Sequence, residues 1–162
     1  MTSSHEEKNL KVAVEELRRV YDWLCKSYGE QRTKTLAFIG ASFTVLTFLY
    51  ANGDTFIPSQ TYGKIFYFAG LGLILLAIGY LFKAIQPKHW EFPTEHRDFE
   101  DQRFYKEFKS EKDYLEYVKN RYLYAYNLNV KVYEDKQKLL NNAFYVLVLG
   151  AIILIVLNLF KT

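Results

Sequence analysis

Three long stretches without a charged residue or a histidine constrain the fold of this chain more than any other feature. They run from Thr35 to Gly53, from Ile65 to Phe82 and from Leu139 to Phe160, and they contain 19, 18 and 22 residues. A helix rises about 1.5 Å per residue, so each stretch reaches roughly 27 to 33 Å, which matches the hydrocarbon core of a bilayer. We therefore expect an all-α integral membrane protein with three transmembrane helices and a cytosolic helical bundle.

The basic residues lie almost entirely on one side of these stretches. Of the 21 Lys and Arg residues, 19 precede Thr35 or lie between Lys83 and Lys138, and the other side keeps only Lys64 and Lys161. Lys and Arg concentrate in the cytoplasmic flanks of membrane spans. The N-terminus is therefore predicted to be cytosolic and the C-terminus external, in a multi-pass protein of the cell inner (cytoplasmic) membrane.

These boundaries divide the chain into six predicted segments. They are a cytosolic amphipathic helix over 1–34, transmembrane helices over 35–53, 65–82 and 139–160, a short external loop over 54–64, and a cytosolic helical region over 83–138. Apolar residues recur every three or four positions from Leu10 to Tyr28, which is typical of a helix. This helix is expected to continue into the first span, with Gly29 as the only candidate break.

Proline and serine positions indicate where the other helices begin and end. Pro58 stops a helix in the external loop. Pro87 ends the second span's helix, because proline lacks an N–H and restricts the residue before it. A short helix is expected over 98–108, followed by a longer one with Ser110 as its N-cap and Asp113 at its third helical position. The longer helix is expected to run on into the third span.

Small and polar residues inside the spans predict close helix packing, because lipid-facing helices gain nothing from them. Ala37 and Ala41 form a small-xxx-small pair in the first span, and Gly72 and Gly79 share one stripe of the second. Asn158 is a candidate for a hydrogen bond across helices near the outer end of the third. We expect these contacts within one chain or between the subunits of a homo-oligomer.

The reactive side chains do not form an enzyme signature. His89 and His96 lie seven residues apart beside two glutamates, but this spacing matches no familiar zinc motif. No Walker A loop, GxSxG, GxGxxG or HEPN ribonuclease motif is present, and the single Cys25 excludes an internal disulfide. The net charge of +3 is too small to indicate direct nucleic-acid binding. We predict no enzyme activity, metal or cofactor, and a membrane enzyme using the two histidines is the least favoured alternative.

The order of the parts resembles a known group of membrane proteins. The positions that carry the resemblance are Glu30 and Lys34 before the first span, Pro87 after the second, and Asn129, Lys136, Asn142, Ala143 and Gly150 towards and along the third. This arrangement is similar to the small membrane effectors of prokaryotic anti-phage islands, in particular the Pycsar-type transmembrane effectors. It resembles more loosely the SLATT proteins and the membrane accessory proteins of type VI CRISPR systems.

The resemblance implies a sensor and an effector in one chain. Pycsar-type effectors sense a cyclic pyrimidine mononucleotide made by a partner cyclase and then impair the inner membrane, whereas the CRISPR accessory proteins act with a CRISPR effector. The cytosolic segments would be the sensor, and a phosphate ligand would need basic side chains, for which Arg97, Arg103, Arg121 and Lys131 are candidates. The expected function is a membrane effector of anti-phage defence that oligomerises and permeabilises or depolarises the inner membrane. The alternative is a constitutive membrane scaffold or adaptor for a soluble partner.

Overall fold

The computed structural model describes residues 3–93, 108 and 110–159, apart from the side chains of residues 3, 4, 54 and 55. Four helices contain most of them, namely α1 (Ser3–Ala51), α2 (Gly53–Phe56), α3 (Thr61–Ile85) and α4 (Glu111–Leu159). The predicted all-α class is confirmed, and α1, α3 and α4 are long and apolar enough to cross a membrane. The short helix expected over 98–108 lies outside the described residues, except for Phe108.

The first helix is continuous over 49 residues, from a charged beginning to an apolar end. The candidate break at Gly29 does not occur, and no atom packs within 4 Å of the place where a Cβ would stand. In the apolar part, Thr35 and Ser42 each donate a hydrogen bond of 2.8 Å to the carbonyl oxygen four residues earlier. These hydroxyl groups are therefore satisfied within their own helix, which lets polar residues lie among apolar ones.

The connection between α1 and α3 contains a helical turn that the sequence pattern did not indicate. The one-turn helix α2 forms there, and the N–H of Ile57 donates to the carbonyl of Gly53 at 2.8 Å. Helix α3 then begins at Thr61, four residues before the charge-free stretch. Lys64 limits that stretch, but it lies within the helix. Gly63 is required at this start, since a Cβ there would lie 2.5 Å from the Cβ of Pro58.

The helix ends marked by proline and serine are confirmed. Helix α3 stops at Ile85, and Gln86 before Pro87 takes an extended conformation with ψ of 135°, as expected before proline. At the start of α4 the N–H of Asp113 donates to Oγ of Ser110 at 3.2 Å. Helix α4 then runs without a break to Leu159.

The described residues pack into two compact units. The polar unit comprises Met1–Gly29 and Lys88–Glu134, and the apolar unit comprises Glu30–Pro87 and Asp135–Thr162. In the polar unit α1 and α4 run in the same direction around a core of Val14, Leu115 and Val118. Ion pairs of Lys11 with Glu111 at 2.7 Å and of Lys112 with Glu6 at 2.9 Å lie at the exposed edge of this core.

In the apolar unit α3 runs antiparallel to α4. One buried cluster consists of Leu49, Tyr67, Ile74, Ile78 and Leu154, and a second consists of Leu81, Leu140 and Ala143. The two helices approach most closely where Gly70 faces Gly150, since a Cβ on Gly150 would lie 3.0 Å from the carbonyl oxygen of Gly70. Glycine therefore allows backbone-to-backbone contact at this crossing.

Candidate functional site

A non-helical segment that follows α3 lies in the polar unit, and we call its residues 88–93 the strap. Trp90 contacts Tyr28 of α1, with ring centroids 4.3 Å apart and planes inclined by 36°. Pro93 is buried, whereas Lys88, His89 and Phe92 are exposed. Only part of the strap is therefore held by apolar contact.

The strap is fixed mainly by the side-chain amide of Asn129, which is 0% exposed. The N–H of Glu91 donates to Oδ1 of Asn129 at 2.9 Å, and Nδ2 of Asn129 donates to the carbonyl oxygen of Glu91 at 2.6 Å. The hydroxyl of Tyr21 donates to the same carbonyl oxygen at 2.7 Å and accepts from Nδ2 of Asn129 at 3.3 Å. One buried amide thus engages both backbone polar groups of a single strap residue.

Burial raises the pKa of the two titratable side chains around this amide. For the Tyr21 hydroxyl the neighbouring Cys25 is a second cause of the raised pKa. Burial also raises the pKa of the Cys25 thiol, while hydrogen bonds from Tyr21 and Trp90 lower it by less. The half-buried thiol of Cys25 is therefore poorly ionised and slow to react at neutral pH.

Of the four basic residues predicted to bind a phosphate, the two that the structure describes, Arg121 and Lys131, lie apart on α4. Arg121 donates from Nε to the carbonyl oxygen of Pro93 at 3.0 Å, so it holds the end of the strap. Lys131 is exposed on α4, ten residues further on and thus about 15 Å away along the helix axis. Arg97 and Arg103 lie outside the described residues. Ligand binding by this set stays a prediction.

The histidines considered for a metal site or an enzyme are only partly described. His89 is exposed, and its Nε2 lies 2.8 Å from Oε2 of Glu91. His96 and Glu95 lie outside the described residues. Within the described ranges no group of three or more His, Cys, Asp and Glu side chains could hold a metal ion.

The small residues predicted for helix packing face away from the rest of the described chain. Ala37 and Ala41 are exposed, and no atom lies within 4 Å of a Cβ built on Gly72 or Gly79. Asn158 donates to the carbonyl oxygen of Leu154 in its own helix at 2.9 Å. The structure therefore does not show these residues packing against another helix of the described chain, and packing between subunits stays a prediction.

Two polar contacts that the sequence pattern missed lie inside the apolar unit. Lys136 is 4% exposed, and its Nζ donates to the carbonyl oxygen of Gln86 at 2.7 Å, where α3 ends. Gln31 donates from Nε2 to Oε1 of Gln137 at 3.0 Å, joining α1 to α4. A positive charge at the C-terminal end of α3 is favourable, because the helix dipole leaves partial negative charge there.

Comparison with known proteins gives one match. A family profile described as the Pycsar effector protein domain matches residues 13–161. No curated protein and no solved structure matches the chain. The matched range contains α3 and α4 and all of α1 from residue 13 onwards, together with Asn129 and the strap that it holds. The chain therefore belongs to the Pycsar effector family of transmembrane proteins.

Proposed function

We propose that this protein is a membrane effector of anti-phage defence that assembles into a homo-oligomer. On sensing a signal through its cytosolic helices it permeabilises or depolarises the inner membrane, and the signal is a cyclic pyrimidine mononucleotide from a partner cyclase. The protein is not an enzyme. The observation that carries this proposal is the match to the Pycsar effector domain over residues 13–161.

The continuity of α1 and α4 supports a sensor coupled to membrane helices. Each is one uninterrupted helix of 49 residues that contains both charged sequence and a charge-free stretch. Helices are stiff over this length, because every interior backbone N–H is bonded within the helix. A displacement of the charged half is therefore passed along the helix to the apolar half.

Unpartnered small residues support the assembly of several subunits. Gly72 and Gly79 on α3 and Gly40 on α1 have open space where a Cβ would be. Helices associate in membranes through such small residues, since these let backbones approach closely. Three transmembrane helices alone cannot enclose a wide aqueous pore, so a pore would need several copies of the chain.

The basic flanks support an orientation with the N-terminus in the cytosol. The native thiol of Cys25 would then resist a membrane-impermeant maleimide in intact spheroplasts. Ser59, which is exposed between α2 and α3, would react as Ser59→Cys in a Cys25→Ser background. Labelling of Cys25 but not of Ser59→Cys would contradict this orientation.

Membrane potential tests the effector function directly. The full chain is produced with an active pyrimidine nucleotide cyclase or with a catalytically inactive variant of the same cyclase, and a voltage-sensitive dye is followed alongside growth. Depolarisation that precedes growth arrest and needs the active cyclase is expected. Growth arrest with an intact potential would contradict it. In reconstituted vesicles, cyclic uridine monophosphate should release an entrapped dye, and linear uridine monophosphate serves as the control.

The alternative, a membrane adaptor for a soluble partner, is favoured by exposed apolar side chains of the polar unit. Large apolar side chains are exposed there on α1 and α4, namely Val12, Val20, Trp23, Tyr124 and Leu128. Such side chains are common in protein-binding surfaces. A stoichiometric partner recovered from cells whose ion permeability never changes would support the adaptor.

A further inference from the structure

The geometry of the strap points to a latch. We infer that the hydrogen bonds of Asn129 and Tyr21 to Glu91 hold the resting conformation, and that activation requires the strap to leave them. This inference rests on the proposed function and adds its regulation. The strap follows α3 after only Gln86 and Pro87, so its release frees the chain that leaves a membrane helix.

Polar contacts hold much of the strap, which makes it releasable. Glu91 makes three hydrogen bonds of 2.6 to 2.9 Å with Asn129 and Tyr21, and Arg121 adds one to Pro93. Apolar contact is limited, because Lys88, His89 and Phe92 are exposed. Segments with little apolar burial open at a lower free energy than the core around them. The polar contacts of Glu91 and Pro93 are therefore important to whether the strap is bound.

Vacating the site leaves buried polar groups without their strap partners. Among the described residues every buried side-chain nitrogen and oxygen has a partner. When the strap leaves, the amide of Asn129 and the hydroxyl of Tyr21 lose their partners at Glu91, which is unfavourable for buried polar groups. Release is therefore disfavoured unless water or a ligand replaces the strap at Asn129 and Tyr21.

Cys25 is a native reporter of the latch, because its thiol lies next to Tyr21 and Trp90 and is half-buried. Opening of the strap hydrates this thiol, removes the main cause of its raised pKa and accelerates alkylation. Loss of the Tyr21 hydroxyl by itself has the opposite effect, since that hydroxyl lowers the pKa of Cys25. The sign of the change therefore separates release of the strap from a merely local effect.

The test compares Tyr21→Phe and Asn129→Leu with two matched controls, Tyr124→Phe and Asn127→Leu, whose wild-type residues are exposed on α4. The full chain is reconstituted in nanodiscs, and the maleimide alkylation rate of Cys25 is measured across pH. In Tyr21→Phe we expect a rate about tenfold above wild type at neutral pH, because one buried hydrogen bond is lost, with the pH profile moved to lower pH. The controls should match wild type.

A rate in Tyr21→Phe that equals or falls below that of wild type would overturn the latch. This variant removes a single oxygen atom, so it carries the test even where Asn129→Leu fails to fold. The second readout is membrane potential in cells without a cyclase, where Tyr21→Phe should depolarise and Tyr124→Phe should not. Faster alkylation without depolarisation, while wild type still depolarises with the cyclase, would overturn the regulatory role alone. A wild type that never depolarises would instead overturn the proposed function and this role with it.

Discussion

Replacing Gly150 with alanine is expected to weaken the contact between α3 and α4. The new Cβ would lie 3.0 Å from the carbonyl oxygen of Gly70, 3.2 Å from Cβ of Leu73 and 3.3 Å from Cγ1 of Ile74. The carbonyl oxygen of Gly70 and Cβ of Leu73 cannot rotate away from the new Cβ, and Cγ1 of Ile74 belongs to a branched side chain that is packed in a buried cluster. Overpacking of this kind costs about 1 to 3 kcal/mol.

Gly72→Ala is the matched control, since no atom lies within 4 Å of a Cβ at that position. Both substitutions gain about 1 kcal/mol of helix propensity, and this gain cancels when the two variants are compared. We therefore expect Gly150→Ala to be less stable than Gly72→Ala by about 1 to 3 kcal/mol. The assay is unfolding in mixed micelles with a rising fraction of sodium dodecyl sulfate, followed by near-UV circular dichroism. Equal unfolding midpoints would refute the close approach of the two helices.

Two further substitutions test the apolar unit against matched controls. Gly79→Leu should reduce the oligomeric mass measured in detergent, because the new side chain fills an open small-residue face. Gly29→Leu, at an equally open position in the polar unit, should leave the oligomeric mass unchanged. An equal loss of mass in both variants would contradict assembly through α3. Lys136→Met should lower the free energy of unfolding by about 1.5 to 3 kcal/mol, because a buried charged hydrogen bond to Gln86 is lost. The exposed Lys138→Met is its control, and an equal effect of the two lysine variants would speak against the contact with Gln86.

The helices and several of their ends could be predicted because they depend on local chemistry. The charge-free stretches require helices in a bilayer, since no water is present there to bond to the backbone. Ser110 accepts the hydrogen bond of an N-cap, and Pro87 excludes a helical residue before it. Helix α2 was missed because a single turn has no apolar period to reveal it.

The packing faces of the spans could not be predicted from the same sequence. In a soluble protein an apolar stripe marks the buried face, but lipid is as apolar as the interior of a membrane protein. The stripe through Gly72 and Gly79 was therefore as good a candidate as the one through Gly70. The structure buries Gly70 against Gly150 and leaves the stripe through Gly72 and Gly79 open. The position of α4 determines which stripe of α3 is buried.

The attachment of the strap was hidden for a different reason. Asn129 and Arg121 were both noticed in the sequence, but their partners are backbone atoms of Glu91 and Pro93. A pattern of side chains does not indicate which backbone carbonyl or N–H a residue will bind. The expectation that Arg121 binds a phosphate was based on charge alone and stays a prediction, whereas its Nε donates to the carbonyl oxygen of Pro93 in the structure.

Asn129 and Lys136 both bind the backbone of the segment that follows α3. They are seven residues apart on α4, which is close to two turns, so they lie on one face of the helix. Each donates a hydrogen bond to a backbone carbonyl of the segment after α3, Asn129 to Glu91 and Lys136 to Gln86. Bonds to backbone atoms do not depend on which side chains that segment carries. We therefore expect substitution of His89 to leave both attachments intact, whereas a change in the length of the segment would displace both carbonyls from their donors.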